Sequence, residues 1–334
     1  MSTSHQARRN ALKQIARETK AMTPTISASL PHLAPTVSHR FALETLPPLD
    51  PAKCPGFRLS PTTNGTPISV IDSDSFDAAI AMPSSVLSPL SNNPPTTTTD
   101  LEKSILSLLS KDAASPDNLT ATAPRVAVLN MASEHNPGGG WMSGAAAQEE
   151  ALCFRSTLAA SLQGSGWYPI PDRSGLWTRD VVVFRSSMAD GHALMVPELE
   201  TGKLPVVSVV SVAGLRRPGV KTVTVGEGKR MVFAEERDRD MTKDKMRLCL
   251  RMSATQGHTM LVLGALGCGA FRNPPEEVAD CWLEVLQEKE FEGGWFKHIW
   301  FAVFDRKNDG NFPIFKRCLD GKEIGVVSVG AGGE

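Results

Sequence analysis

The 334-residue chain has no excess of charge: 35 basic side chains against 36 acidic ones leave a net charge of −1. That balance argues against a protein that works mainly by neutralising nucleic-acid phosphates or lying on anionic lipid. No apolar run approaches the roughly 20 residues a membrane span needs, and the start of the chain has no apolar signal-peptide core. The six cysteines (Cys54, Cys153, Cys249, Cys268, Cys281 and Cys318) include no Cys-x-x-Cys pair, and the seven histidines make no His-x-x-x-His. The local signatures of a zinc site are therefore missing, and a chain this long has no need of disulfide staples. Reduced thiols and an intracellular setting, nuclear or cytoplasmic, are the expectation. Hydrophobic residues make up 41%, a little under the ordinary globular share, so a folded core is diluted by irregular segments.

The first 20 residues carry Arg8, Arg9, Lys13, Arg17 and Lys20 against one acid, Glu18. They imitate a mitochondrial presequence, but the spacing of Leu12, Ile15 and Ala16 predicts an amphipathic surface helix. Residues 22–67 are rich in Pro, Ser and Thr. Residues 83–99, with Pro94-Pro95 and four threonines, cannot bury enough apolar surface to offset ordering entropy and read as a mobile insertion. Between them Ile68 to Ile71 is a short strand, and Asp74-Ser75 caps a helix through Ile80. From about residue 124 strands and helices alternate. Strands are expected at 125–129, 204–212, 222–233, 259–263 and 298–304, and helices at 148–162, 240–253 and 276–290. Such alternation means an α/β layered sheet with helices on both faces.

Two glycine-rich loops stand where a strand ends and a helix begins, the edge at which open α/β sheets bind ligands. The first runs Asn136-Pro-Gly-Gly-Gly140, then Trp141 to Ala147, then Gln148-Glu149-Glu150. Three glycines let backbone N–H groups approach a ligand closely. Adjacent glutamates are splayed by about 100° on a helix, so one can reach a reacting centre while the other grips a neighbouring group. Either half alone is more often a flexible turn, or acids suiting a helix dipole; together, after a strand, they mark a site. The second loop, Gly264 to Asn273, is neither a dinucleotide fingerprint nor a P-loop, yet its small residues before a helix N-terminus favour bound phosphate. Cys268 within it reads as a small buried thiol rather than a nucleophile. Arg216-Arg217 and Lys229-Arg230 are short basic pairs that read as solvated surface.

The run Val128 to Gly140, followed after seven residues by Gln148-Glu149-Glu150, resembles the motif of microbial-type poly(ADP-ribose) glycohydrolases. Gly264 to Asn273 is similar to the diphosphate loop of that family, Phe301 to Asp305 to its closing strand, and Arg17-Glu18-Thr19 to its amino-terminal helix. The likeness covers most of 1–20, 68–80 and 124–317. It implies a macrodomain-like three-layer α/β/α sandwich with a mixed central sheet and an N-terminal helical extension. On this reading 1–67 is a helix and irregular extension packing on the core. Residues 68–320 are the glycohydrolase domain, interrupted by 83–99, and 321–334 are a flexible tail.

The resemblance also implies roles. Glu150 would be the catalytic acid/base, and Glu149 would hold a hydroxyl of the ribose beside the scissile bond. Gly138, Gly139 and Gly140 would contact ribose and phosphates, Asn136 would orient the sugar, and Gln148 would complete this side of the substrate site. Gly267, Cys268, Gly269, Ala270 and Phe271 would wrap the diphosphate, with Phe271 pressing the terminal ribose toward Glu150. Asp74 would hold the adenine amine. The implied activity is hydrolysis of ribose–ribose O-glycosidic bonds from chain ends, releasing ADP-ribose, with no metal and no cofactor. Partners would be poly(ADP-ribose) or ADP-ribosylated proteins, with no membrane and no direct nucleic-acid binding. An oxocarbenium-like transition state asks for a proton on the leaving oxygen and a base for water, which one carboxyl can serve in turn. Crowding by the charges of Glu149 and the substrate diphosphate is expected to keep Glu150 protonated near neutral pH. The only tyrosine is Tyr168, so any aromatic hydroxyl that relatives place near the adenosine must here be phenylalanine or tryptophan. Two other readings stay open: a reader that binds terminal ADP-ribose without cleaving it, and a hydrolase of mono-ADP-ribose.

Overall fold

Strands whose apolar side chains fall in both parities must be covered on both faces, because period-2 alternation sends neighbours to opposite sides. In the computed structural model, which describes residues 3–57, 65–87, 125–164, 166–226, 228–305 and 309–325, this is how the sheet is buried. In β3 (Val126–Met131), Val126 and Val128 join one core cluster while Ala127 and Leu129 join the other. β8 (Met260–Leu263) and β9 (His298–Ala302) divide in the same way. The first cluster is closed by α1 (Thr3–Ala28), α2 (Ser75–Leu87), α3 (Gln148–Arg155) and α4 (Leu158–Ser161). The second is closed by α5 (Glu236–Thr255), α6 (Pro275–Leu286) and α7 (Asn311–Leu319). The expected three-layer sandwich is what forms.

The remaining strands are β1 (His39–Ala42), β2 (Thr66–Ile71), β4 (Ser174–Val182), β5 (Val206–Val212) and β10 (Glu323–Ile324). The eight-stranded order is β1-β4-β5-β3-β8-β9-β2-β10. Its centre, β5-β3-β8-β9-β2, is parallel, and β1, β4 and β10 pair antiparallel at the flanks, so the sheet is mixed. A separate hairpin, β6 (Val220–Val225) with β7 (Gly228–Phe233), accounts for the strand material expected at 222–233.

Several expectations shift in detail. The helix foreseen over 148–162 is two helices, because Ser156 is extended and bridges to Val183 while the Thr157 N–H bonds to the Val182 carbonyl. The amino-terminal helix buries Leu12 and Ala16 and continues to Ala28, through Pro24, into a stretch read as irregular. Residues 83–87 lie on α2, while the rest of the expected insertion, 88–99, lies outside the described residues. In the expected tail Glu323 and Ile324 pair with β2, and 326–334 lie outside the described residues. β1, β4 and α7 were not foreseen. Among the described residues no helix is long and apolar enough to cross a membrane.

Candidate active site

Because β5, β3 and β8 are parallel neighbours, the loops leaving their carboxyl ends emerge side by side. The loop after β3 makes a tight turn: the Gly139 N–H bonds to the Asn136 carbonyl at 2.9 Å, and Trp141 N–H to the Gly138 carbonyl at 3.2 Å. It ends at Ala147, the residue before α3, whose methyl side chain cannot cap a helix. Glu150 makes the reciprocal contact, from within the helix back to the cap. Its Oε2 accepts from the Ala147 N–H at 2.9 Å, half of a capping box, and its Oε1 accepts from the Gly140 N–H at 2.8 Å. The carboxylate thus ties the helix start to the triglycine turn.

Gly139 is where the loop demands glycine. Its φ is +58°, and a Cβ there would stand 2.5 Å from Glu150 Oε1 and 3.0 Å from Glu149 Oε2. Both carboxylates therefore converge on one backbone position despite their splay on the helix. Gly139→Ala is expected to lower stability by about 2–3 kcal/mol, from the left-handed backbone and the clash together. Because angstrom-scale misplacement of a reacting group costs on the order of 10²-fold in rate, it should also cut activity by that factor. Thermal melts and initial rates check both.

Glu149 is buried. Its Oε2 accepts from the Ser133 N–H at 2.7 Å, and its Oε1 faces the Asn130 amide at 3.4 Å. Burial pushes its carboxyl up to about 8, outweighing these hydrogen bonds, and the neighbouring Glu150 charge adds to the rise. This corrects the expectation that the charge of Glu149 crowds Glu150: below about pH 8 Glu149 keeps its proton, and only a bound diphosphate would supply that charge. The folded state holds one more proton than the unfolded chain between the ordinary value of 4.5 and about 8. Stability from this group is complete below the lower value and lost as pH rises through the upper one. Glu149→Gln removes that dependence, and its stability relative to the wild type should improve by on the order of 4 kcal/mol between pH 5 and pH 9 in denaturant titrations.

Gln148 is placed to hold the loop. Its Oε1 accepts from the Met131 N–H at 2.9 Å, and its Nε2 donates to the Leu129 carbonyl at 2.7 Å and to Ser75 Oγ at 3.1 Å. Both amide hydrogens are committed within the protein. Asp74 is engaged through one oxygen: its Oδ1 accepts from the Phe76 N–H at 2.8 Å, capping α2, and pairs with Arg155. The side chain read as a holder of adenine thus takes part in an ion cluster through this one oxygen. Arg155, the last residue of α3, is 1% exposed and also grips Asp77 at 2.6 Å and the Arg185 carbonyl at 3.1 Å. The Asn136 side chain is exposed at the rim of the first loop.

The second loop is organised by Asn273, which is buried. Its Nδ2 donates to the carbonyls of Leu215 at 2.6 Å and Gly267 at 3.0 Å. Gly267 has φ +76°, and a Cβ there would stand 2.5 Å from that nitrogen. The Cys268 thiol is buried, and burial pushes its ionisation up, as expected of an inert thiol. Gly269 and Ala270 are exposed and Phe271 is half-buried, so the outer part of the loop faces solvent. The two loops start in contact, since a Cβ on Gly264 would touch the Met131 side chain at the end of β3.

The fold thus brings Glu149, Glu150 and Gly138 to Gly140 together, with Gly267 to Phe271 in the loop after the adjacent strand β8, and commits the Gln148 amide and one oxygen of Asp74 within the protein. Asn130, Ser133, Arg155 and Asn273 do much of the positioning, and none was singled out from sequence. Arg155 had a visible sign, a cation within the apolar run of 151–162.

Residues 73–186 match the family model described as microbial-type PARG, catalytic domain. No curated protein matches the chain. Among solved structures, the poly(ADP-ribose) glycohydrolase of Thermomonospora curvata is similar at 23% identity and a TM-score of 0.63, over 92% of this chain and 99% of that one. The same enzyme bound to the inhibitor ADP-HPD matches at 22% identity and 0.61, with the same coverage. The Deinococcus radiodurans glycohydrolase in complex with ADP-ribose matches at 24% and 0.56, over 89% of this chain and 97% of that one. These likenesses show a shared macrodomain-like fold. The family match covers the segment that carries the triglycine turn and both glutamates.

Proposed function

We propose that this chain hydrolyses ribose–ribose O-glycosidic bonds of poly(ADP-ribose) from chain ends and releases ADP-ribose. The observation that carries this is the convergence of two carboxyl groups on the Gly139 backbone, one of them clamped by two backbone N–H groups. Glu150 protonates the leaving oxygen and then takes a proton from the attacking water. Its anchored geometry limits the motion that would spoil proton transfer. Glu149, neutral below about pH 8, donates to a ribose hydroxyl and does not repel the diphosphate. Gly138 to Gly140 lie against the ribose and its phosphate. Gly267 to Phe271 wrap the diphosphate, and Phe271 presses the terminal ribose toward Glu150. Residues 68–320 form the catalytic unit, and α1 braces it: Arg9 bonds to the Ser143 carbonyl at 2.8 Å and Thr19 to the Phe154 carbonyl at 2.8 Å. The neighbours crystallised with ADP-ribose and with ADP-HPD support the same ligand class.

The reader alternative keeps one observation in its favour. A neutral Glu149 lessens the electrostatic cost of a second acid beside an anionic ligand, so the pair is compatible with binding alone. The deciding experiment mixes the purified protein with poly(ADP-ribose), follows free ADP-ribose, and titrates ADP-ribose in a calorimeter. Release at enzymatic rates is expected. Tight binding with no release makes the chain a reader, and release only from mono-ADP-ribosylated protein makes it the other hydrolase.

A further inference from the structure

The loop after β5 runs beside the second glycine loop, and the two are zipped together. Asn273 donates to the Leu215 carbonyl, and the Arg217 N–H bonds to the Phe271 carbonyl at 2.8 Å. A Cβ on Gly214 would stand 2.9 Å from the Gly267 Cα. Three arginines decorate this seam: Arg216, Arg217 and Arg272. Arg216 reaches across to the loop after β3, where its guanidinium stands 3.9 Å from Glu134, yet 60% of its side chain is exposed. Arg217 and Arg272 are exposed, and among the described residues neither makes an ion pair.

Their backbones are unusual. Among the described residues only three that are not glycine have positive φ: His192, Arg217 at +50° and Arg272 at +57°. Glycine adopts this conformation at no steric cost, whereas a side chain adopts it at a penalty. Two arginines thus accept that penalty within one hydrogen-bonded seam, on either side of Phe271. Strained residues at such an edge point to a task for the side chains.

We propose that Arg216, Arg217 and Arg272 form an anion rim that binds the diphosphate of the next ADP-ribose unit, the one on the leaving side of the scissile bond. The rim rests on the functional reading above, in which Phe271 presses the terminal ribose toward Glu150, so that residues flanking Phe271 border the place where the chain leaves. The pair Arg216-Arg217, which reads from sequence as solvated surface, then becomes a short phosphate clamp. It gives the site affinity for a polymer beyond its affinity for a single unit.

The test uses the full chain carrying Glu150→Gln, so that binding is read without turnover. End-labelled poly(ADP-ribose) is titrated between 50 and 200 mM NaCl, with and without Arg216→Ala, Arg217→Gly and Arg272→Gly combined. Polymer affinity at the lower salt should fall at least tenfold, and the slope of log affinity against log salt should shrink by about 2, for three lost phosphate contacts. Affinity for free ADP-ribose should stay within twofold. Glycine is at ease at both positive-φ positions, so a thermal midpoint at or above that of the parent shows that the fold is intact. Arg216→Lys alone should retain most of the affinity. Unchanged polymer affinity, or an equal loss toward free ADP-ribose, overturns the rim. Failure of the functional reading is seen separately, as no ADP-ribose released from polymer by the wild type.

Discussion

Glu150→Gln is expected to lower kcat on poly(ADP-ribose) by about 10³-fold, within the range general acid–base groups contribute, while ADP-ribose still binds. Glutamine keeps the size of the side chain but can neither give up nor take a proton in the cycle. It also cannot reproduce both anchoring bonds. The carboxylate accepts from Gly140 and from Ala147 through different oxygens, and an amide presents one oxygen and one NH₂ group. One of these backbone N–H groups then loses its acceptor, which should cost about 1–2 kcal/mol in stability. Glu150→Asp separates the two effects. It keeps the acid but is one methylene too short to reach Gly140 and Ala147 together, so its rate should fall between those of wild type and Glu150→Gln. Initial rates on polymer, calorimetry with ADP-ribose and a melting curve for each variant decide the matter. A glutamine variant that keeps more than a tenth of wild-type kcat assigns the proton transfer elsewhere.

The largest stability effect is expected at Arg155. Arg155→Met should cost about 3–5 kcal/mol, the range for breaking a buried ion pair from one side. The guanidinium is 1% exposed and pairs with Asp74 and Asp77, while its Nε bonds to the Arg185 carbonyl. Removing it strands two carboxylates at the start of α2. Asp77 already sits at about 6, because burial raises it and Arg155 only partly holds it down. Without the arginine it climbs further. The folded variant would then bind a proton that the unfolded chain releases above 3.8, the ordinary value. Its stability is therefore greatest at low pH and falls as pH rises, so the loss relative to wild type should be larger at pH 8 than at pH 5. Adding Asp77→Asn should recover part of the loss at pH 8 and little at pH 5. Denaturant titrations of the three proteins at both pH values test this, and a loss that does not vary with pH would place the cost in packing alone. Since α3 also carries Glu149 and Glu150, the variant should lose activity at temperatures where it is still folded.

The parts of the site that are contiguous in the chain were legible. The triglycine turn, the two glutamates and the small-residue loop from Gly264 carry their chemistry in spacing. So do the strands buried on both faces, whose continuous apolar runs cannot be solvated. Parts held by contacts between distant residues were not legible. β4 reads Ser-Gly-Leu-Trp-Thr-Arg-Asp-Val-Val, and its polar residues disguise a strand buried over most of its length. The break at Ser156 is made by a bridge to Val183 and leaves no helix-breaking residue in the sequence.

Residue roles divide along the same line. A motif names side chains that can do chemistry, but a side chain has a limited number of donors and acceptors, and the fold decides where they go. Asp74 and Gln148 carry groups suited to a nucleotide, yet one Asp74 oxygen is taken up by Arg155 and α2, and the Gln148 amide by Ser75 and the β3 backbone. Glu149 and Glu150 are neighbours with the same chemistry, and burial, a property of the packed fold, is what lifts Glu149 to about 8. The sequence by itself determined the layered α/β architecture and which two loops could meet a ligand, because periodicity and spacing are local. That Glu149 keeps its proton, that the Gln148 amide is committed within the protein and that Arg217 and Arg272 lie along the second glycine loop were decided only by tertiary structure, because desolvation and hydrogen-bond satisfaction depend on residues brought together from far apart in the chain.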